Sequence, residues 1–175
     1  SFTGLRIGSA TAKGLGLALD KPLLHIPTVD GLAYNLYGYN GLICPIMDAR
    51  RGQVYTGIYR FEDNTFRTLK EDCAIALEEL LEELAAAQEP VVFLGDGVPV
   101  GREKIAARLG SLARFAPAQM NRQRAASVAA LGAVMYAEGK TETAAAHAPE
   151  YLRMSQAERE RKAKGLPVSA EENLG

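Results

Sequence analysis

Leu42-Ile43-Cys44-Pro45-Ile46-Met47-Asp48-Ala49-Arg50-Arg51-Gly52-Gln53-Val54-Tyr55-Thr56-Gly57-Ile58-Tyr59-Arg60 is the stretch on which the fold turns. Leu42 to Met47 is an apolar run of strand length, although Pro45 inside it removes one ladder donor. Asp48 to Gly52 reads as a tight turn, with Gly52 where a positive φ is tolerated. Val54 to Arg60 then alternates. Val54, Thr56 and Ile58 fall on one side, and Tyr55, Gly57 and Tyr59 on the other. A strand, a short turn and an alternating strand make an antiparallel hairpin.

Working outward, Glu62-Asp63-Asn64 is a second turn and Thr65 to Leu69 a third strand. Ala74 to Gln88 is a helix with Leu77, Leu80, Leu81 and Leu84 on one face and glutamates elsewhere. Pro90 stops it. Val91 to Leu94 is a buried strand closed by Gly95-Asp96-Gly97, and Val98 to Leu109 is a helix with Pro99 in its first turn. Leu112 to Ala116 is a short strand, and Ala125 to Glu138 an alanine-rich helix closed by Gly139. The order from Leu42 is β-β-β-α-β-α-β-α. Hairpins give antiparallel pairs and helical crossovers give parallel ones. A mixed five-stranded sheet covered by helices is therefore expected. This is the order of the ribonuclease-H-like unit, which occurs twice in the actin, hexokinase and sugar-kinase superfamily.

Upstream, Ser1 or Thr3 can cap a helix running to about Leu19. Wound at about 100° per residue, Arg6, Ser9, Lys13 and Asp20 share one narrow polar stripe. The rest is apolar or small, including Gly4, Gly8, Gly14 and Gly16. Such a helix is expected to be buried on two sides, with one arc on its own sheet and the other left for a partner. The outer arc is Thr3, Ile7, Ala10, Thr11 and Gly14, with Arg6 beside it. The inner arc is Leu5, Gly8, Ala12, Leu15 and Leu19. Pro22 ends the helix, Leu23 to Ile26 is a short buried strand, and Thr28 caps a helix to about Tyr37. Three parts follow: residues 1–41 as the remnant of a first lobe, 42–153 as a second lobe, and 154–175 as a charged tail.

The chain has 175 residues, 47% apolar and 23% charged, so it is long enough for a real core. Its net charge of −1 argues against a uniformly basic nucleic-acid binder. No apolar run is long enough to span a membrane. Two cysteines exclude a disulfide scaffold and a four-cysteine zinc site. His25 and His147 stand 122 residues apart, so there is no H-E-x-x-H helix and no metal is expected. His25, inside an apolar segment, reads as a core or interface residue.

Three motifs then become specific. Ser1-Phe2-Thr3-Gly4-Leu5-Arg6-Ile7-Gly8, followed by Ala12-Lys13-Gly14-Leu15, resembles the bacterial TsaB (YeaZ) family. So do Ile46 to Tyr55 and Pro149-Glu150-Tyr151-Leu152-Arg153. The three occur in the family's order. The opening reads like the middle of a motif, so a longer parent sequence is expected, with a truncated first lobe here. The resemblance implies an actin-like ATPase fold in a degenerate member that does not itself carry the chemistry. It implies a scaffold role in making threonylcarbamoyladenosine beside the tRNA anticodon, with TsaD and TsaE as partners and the tRNA engaged indirectly. A homodimer is implied when TsaD is absent, through a helical bundle built on the first helix. The implied location is cytoplasmic. No cofactor is expected to bind tightly, with ATP or ADP only at the interface of a complex.

Other readings of these residues stay open. A hydrolase of the older glycoprotease label would need a nucleophile and base or clustered metal ligands. A free-standing actin-like ATPase would need the first lobe's phosphate loop. Asp48, Arg50 and Arg51 sit where related proteins place a phosphate hairpin. The two arginines make that loop bulky, so it is either a structural turn or a contact for an anion or partner. Gly95-Asp96-Gly97 is either an adenosine-side loop or a strand-to-helix turn with Asp96 as the cap. Glu158 to Lys164 is a solvated tail or a contact for tRNA or a partner.

Overall fold

The computed structural model describes residues 2–152. Its elements are α1 (Phe2–Leu19), α2 (Thr28–Ala33), a 3-10 turn (Tyr34–Leu36), β1 (Leu42–Asp48), β2 (Gln53–Glu62), β3 (Thr65–Ala76), α3 (Leu77–Ala87), β4 (Val91–Leu94), α4 (Val98–Leu109), β5 (Ala113–Phe115) and α5 (Ala125–Ala137). The strands form one five-stranded sheet in the order β3-β2-β1-β4-β5. The first two pairings are antiparallel; β1–β4 and β4–β5 are parallel. This is the mixed sheet that the hairpins and crossovers demand.

β1 and β4 are apolar on both faces because helices cover both. On one face Cys44, Ile46, Val54, Ile58 and Phe93 pack with Leu80 and Leu84 of α3 and Ile105 of α4. On the other, Ile43, Tyr59, Phe61, Val92 and Leu94 pack with Val29 and Leu32 of α2 and Leu131 of α5. Fully burying one such leucine contributes about 1.5–3 kcal/mol, so both layers matter. The alternation read in β2 is the alternation between these two faces. Burial also silences the Cys44 thiol, whose pKa is pushed up to about 12.

Pro45 lies in the central strand, not at an edge. The pairing of β1 with β2 keeps one register through Ile43↔Tyr59, Ile46↔Thr56 and Asp48↔Val54, whereas β2 shifts register against β3 between Thr56 and Tyr59. There the Thr56 hydroxyl donates to the Pro45 carbonyl at 2.8 Å. Thr56 is fully buried, and this bond satisfies its hydroxyl inside the sheet.

Several expectations need correction. β3 runs on to Ala76, because Lys70, Glu71 and Asp72 lie on an edge strand that tolerates charge. Accordingly α3 begins at Leu77, not Ala74. Leu23 to Ile26 is half-buried and forms a single antiparallel bridge, Leu23 with Glu142, rather than a sheet strand. Thr28 starts α2 without a side-chain cap, and the helix tightens to 3-10 after Ala33. Thr3 lies inside α1 and so does not cap it. Ser1, Arg153 and the charged run Glu158 to Lys164 lie outside the described residues.

Candidate partner-binding surface

α1 is one continuous helix of 18 residues. It has no substantial packing on any strand of the sheet. This overturns the expected burial on two sides. Ile7, Leu17 and Leu19 are 63%, 62% and 64% exposed, and Leu5 and Leu15 are exposed as well. The helix is held by its polar stripe, on the chain that follows α5. Arg6 Nε donates to the Tyr151 hydroxyl at 3.1 Å, and the guanidinium stands 5.8 Å from the ring centre. Lys13 Nζ donates to the carbonyls of Ala145 (3.1 Å) and His147 (2.7 Å). An ammonium serving turn carbonyls satisfies acceptors that have no backbone donor nearby. Gly16 lies against Ala144, where a Cβ would come within 2.8 Å of the alanine methyl.

Of the arc expected to meet a partner, Thr3, Ile7, Ala10, Thr11 and Gly14 are all exposed. At about 100° per residue they form an arc centred roughly a third of a turn round the helix from the anchoring stripe. Thr11 turns its hydroxyl back to the Ile7 carbonyl at 2.9 Å, which hides a polar group and leaves its methyl outward. Arg6 belongs to the anchor rather than to the outward arc. From the inner arc only Ala12 is half-buried.

The Asp48–Gly52 hairpin is a separate surface. Arg50 and Arg51 both have positive φ, 65° and 57°, as does Gly52 at 73°. Non-glycine residues there cost about 1–2 kcal/mol each. Asp48 offsets part of that cost. Its Oδ1 accepts the Arg50 backbone N–H at 2.8 Å, and its Oδ2 pairs with the Arg50 guanidinium at 3.0 Å. Asp48 therefore shapes the turn and restrains Arg50; Arg50 and Arg51 are both exposed, and Arg51 carries no such ion pair with Asp48.

The Gly95-Asp96-Gly97 turn wraps the end of β1. The space a Cβ would take at Gly95, whose φ is 113°, is filled by the Ile46 carbonyl. The Gly97 N–H donates to that carbonyl at 3.0 Å. Here glycine serves close backbone approach within the chain. Asp96 does not cap α4. It accepts the Asp48 N–H at 3.2 Å and lies 3.8 Å from the Arg122 guanidinium.

Two groupings escaped sequence reasoning because their members are distant in the chain. Tyr59 donates to Asp30 Oδ1 at 2.6 Å beneath α2. Burial raises the Asp30 carboxyl to about 6, against a smaller lowering by the Tyr59 hydroxyl. His25 and His147 have ring centres 6.1 Å apart, with Glu142 and Glu150 beside them.

Residues 1–161 match the family model described as TsaD: tRNA N6-adenosine threonylcarbamoyltransferase. The chain is 36% identical over 160 residues to the tRNA threonylcarbamoyladenosine biosynthesis protein TsaB of Bacillus subtilis, covering 90% of this chain and 67% of the relative. It is 32% identical over 162 residues to the protein of the same name in Escherichia coli, covering 87% and 66%. The chain thus spans about two thirds of their length. Among solved structures, YeaZ from Pseudomonas aeruginosa superposes with a TM-score of 0.71 at 25% identity, over 86% of this chain and 70% of that one. A crystal structure described as similar to peptidase YeaZ from the same organism gives 0.72 at 24% identity, over 87% and 69%. These likenesses show the actin-like fold.

Proposed function

The chain belongs to the TsaB (YeaZ) branch of the threonylcarbamoyltransferase family, and from that premise we propose that it is a non-catalytic scaffold in the synthesis of threonylcarbamoyladenosine on tRNA. Its partner is TsaD, with TsaE joining the assembly and tRNA engaged indirectly. The place of action in this reading is the cytoplasm, where tRNA is modified. No helix among the described residues is long and apolar enough to cross a membrane. In the same reading the chain alone holds no cofactor tightly, and ATP or ADP enters only at the interface of the complex.

The observation that carries the proposal is α1. An 18-residue helix with five exposed large aliphatic side chains is an unusual surface for an isolated chain. Small residues at Ala10, Thr11 and Gly14 allow another helix to approach closely. TsaD is the intended occupant, and a second copy takes its place when TsaD is absent. Arg51 stands apart from α1 as a candidate contact for an anion or a carboxylate of the same partner.

Ala10→Glu and Thr11→Arg test this. Both positions are exposed, so the variants are expected to fold with an unchanged circular dichroism spectrum. Burying an unpaired charge costs several kcal/mol, and each ~1.4 kcal/mol is tenfold in affinity. Calorimetric affinity for TsaD should therefore fall by about two orders of magnitude. Unchanged affinity in both variants removes α1 from the interface.

A further inference from the structure

We propose that His25, Glu142 and His147 form a binding site for a zinc-class divalent ion that clips the segment after α1 to the segment after α5. One ligand atom from each residue lies within 4.8 Å of the other two. A tetrahedral zinc ion holds nitrogen and oxygen ligands at about 2.0–2.2 Å, which sets its ligand atoms about 3.3–3.5 Å apart. No pair of these atoms exceeds that spacing by more than about 1.5 Å, and His147 Nδ1 and Glu142 Oε1, 2.6 Å apart, would separate by less than about an ångström. Rotation of the half-buried His25 and Glu142 side chains supplies that movement.

The backbone beneath the cluster is already fixed. Leu23 N donates to the Glu142 carbonyl at 2.9 Å, and Glu142 N donates to the Leu23 carbonyl at 3.0 Å. This reciprocal pair of hydrogen bonds holds Glu142 against the strand-like stretch that carries His25 two residues further on. His147 is held by a turn in which Ala146 N and His147 N both donate to the Thr143 carbonyl at 3.1 Å. Lys13 grips the same turn through the His147 carbonyl. Donors mounted on fixed backbone need little reorganisation to bind.

The chemistry selects the ion. Two imidazoles and a carboxylate suit zinc and its transition-metal neighbours, whereas calcium and magnesium prefer all-oxygen shells. His147 Nδ1 already meets Glu142 Oε1 at 2.6 Å. Glu150 Oε2 stands 3.5 Å from His25 Nε2, so a carboxylate is at hand to orient that ring, as ligating histidines require. The surroundings are anionic. Asp72 feels Glu150 as a like charge, and Asp30 feels Asp72 and Glu71. A cation at the cluster relieves that repulsion. The expectation of no metal rested on a separation of 122 residues along the chain, and the fold removes that premise.

The site is independent of the partner reading, because none of its three residues lies on the outward arc of α1. The test uses the full chain, free of affinity tag and stripped with a chelator. Titration with zinc chloride in a calorimeter should give saturable one-to-one binding. Amide exchange across residues 142–150 should slow when zinc is present. His25→Ala and His147→Ala should each weaken binding at least tenfold, and Glu142→Gln should weaken it less. His25→Ala serves if His147→Ala fails to fold, since His25 is the less buried of the two. The proposal is overturned if the wild-type chain shows no saturable binding. It is equally overturned if the folded His25 variant binds zinc as tightly as the wild type, which would place the ion elsewhere.

Discussion

Replacing Asp30 by Asn should stabilise this protein at neutral and alkaline pH. Asp30 sits in the first turn of α2 with its carboxyl pressed between the helix and the sheet, where it accepts the Tyr59 hydroxyl at 2.6 Å. Burial raises its pKa from 3.8 to about 6, and the like charges of Asp72 and Glu71 on β3 add to the rise. Tyr59 and His25 act in the opposite sense. The folded-state pKa is above the unfolded one, so the folded chain holds the extra proton between the two values. The group's contribution to stability is fully present below the unfolded pKa and is lost as pH rises through about 6. A gap of about two units corresponds to about 3 kcal/mol when fully expressed. Asn keeps the shape and still accepts from Tyr59, but never ionises. It forgoes a negative charge at a helix start, worth about 0.3–1 kcal/mol, and a charge-assisted hydrogen bond. A net gain of about 1–2 kcal/mol remains, or a Tm rise of roughly 2–4 °C per kcal/mol. Urea denaturation of both proteins, in chelator at about pH 8 and about pH 5, reads the difference. The gap between variant and wild type should be largest at the higher pH and shrink at the lower. A variant less stable than wild type at the higher pH, or a gap independent of pH, would refute the reasoning.

Other substitutions probe the anchors. Gly16→Val should weaken the docking of α1, because its side chain would meet Ala144, Leu23 and the Lys21 carbonyl. Gly14→Ala points into open space and should make α1 more helical by about 0.5–1 kcal/mol. Amide exchange along α1 separates the two outcomes, rising for the first and falling for the second. Thr56→Val leaves the Pro45 carbonyl without its hydroxyl donor and should cost about 1–3 kcal/mol in chemical denaturation. Arg51→Gly relieves a left-handed arginine and should raise Tm slightly, by up to about 1 kcal/mol of stability. If Arg51 meets the partner, the same change lowers affinity for TsaD while stability rises.

The parts of the fold legible in the sequence were those whose signals are local. The apolar runs of β1 and β4 announced strands covered on both faces, and the leucines of α3 announced one helix face. The far half of β3 was illegible because Lys70-Glu71-Asp72 looks like a loop until it is known to lie at a sheet edge. For α1 the usual rule was inverted. Its charged stripe faces the chain and its aliphatic residues face outward, because Arg6 and Lys13 find Tyr151 and two turn carbonyls more than 130 residues away. Nothing local signals that. The left-handed pair Arg50 and Arg51 did leave a trace. Asp48 stands two residues before Arg50, where an aspartate can bond the backbone ahead of it. The histidine cluster left none, since only tertiary structure brings His25 to His147.

The proline at the middle of the sheet has a consequence for how the strands find one another. Sliding β2 by one residue along β1 would turn every side chain of β2 to the wrong face. It would also bring Gly57 or Tyr55 to the place of Thr56. Glycine has no hydroxyl, and tyrosine carries its own at the far end of a ring. Neither can serve the Pro45 carbonyl in that space, so a misaligned hairpin keeps a buried acceptor unsatisfied. Pro45 and Thr56 thereby act as a key and its lock for strand alignment. The meander closes between neighbours in sequence, so this alignment is set within β1 and β2 and involves no residue of β4 or β5.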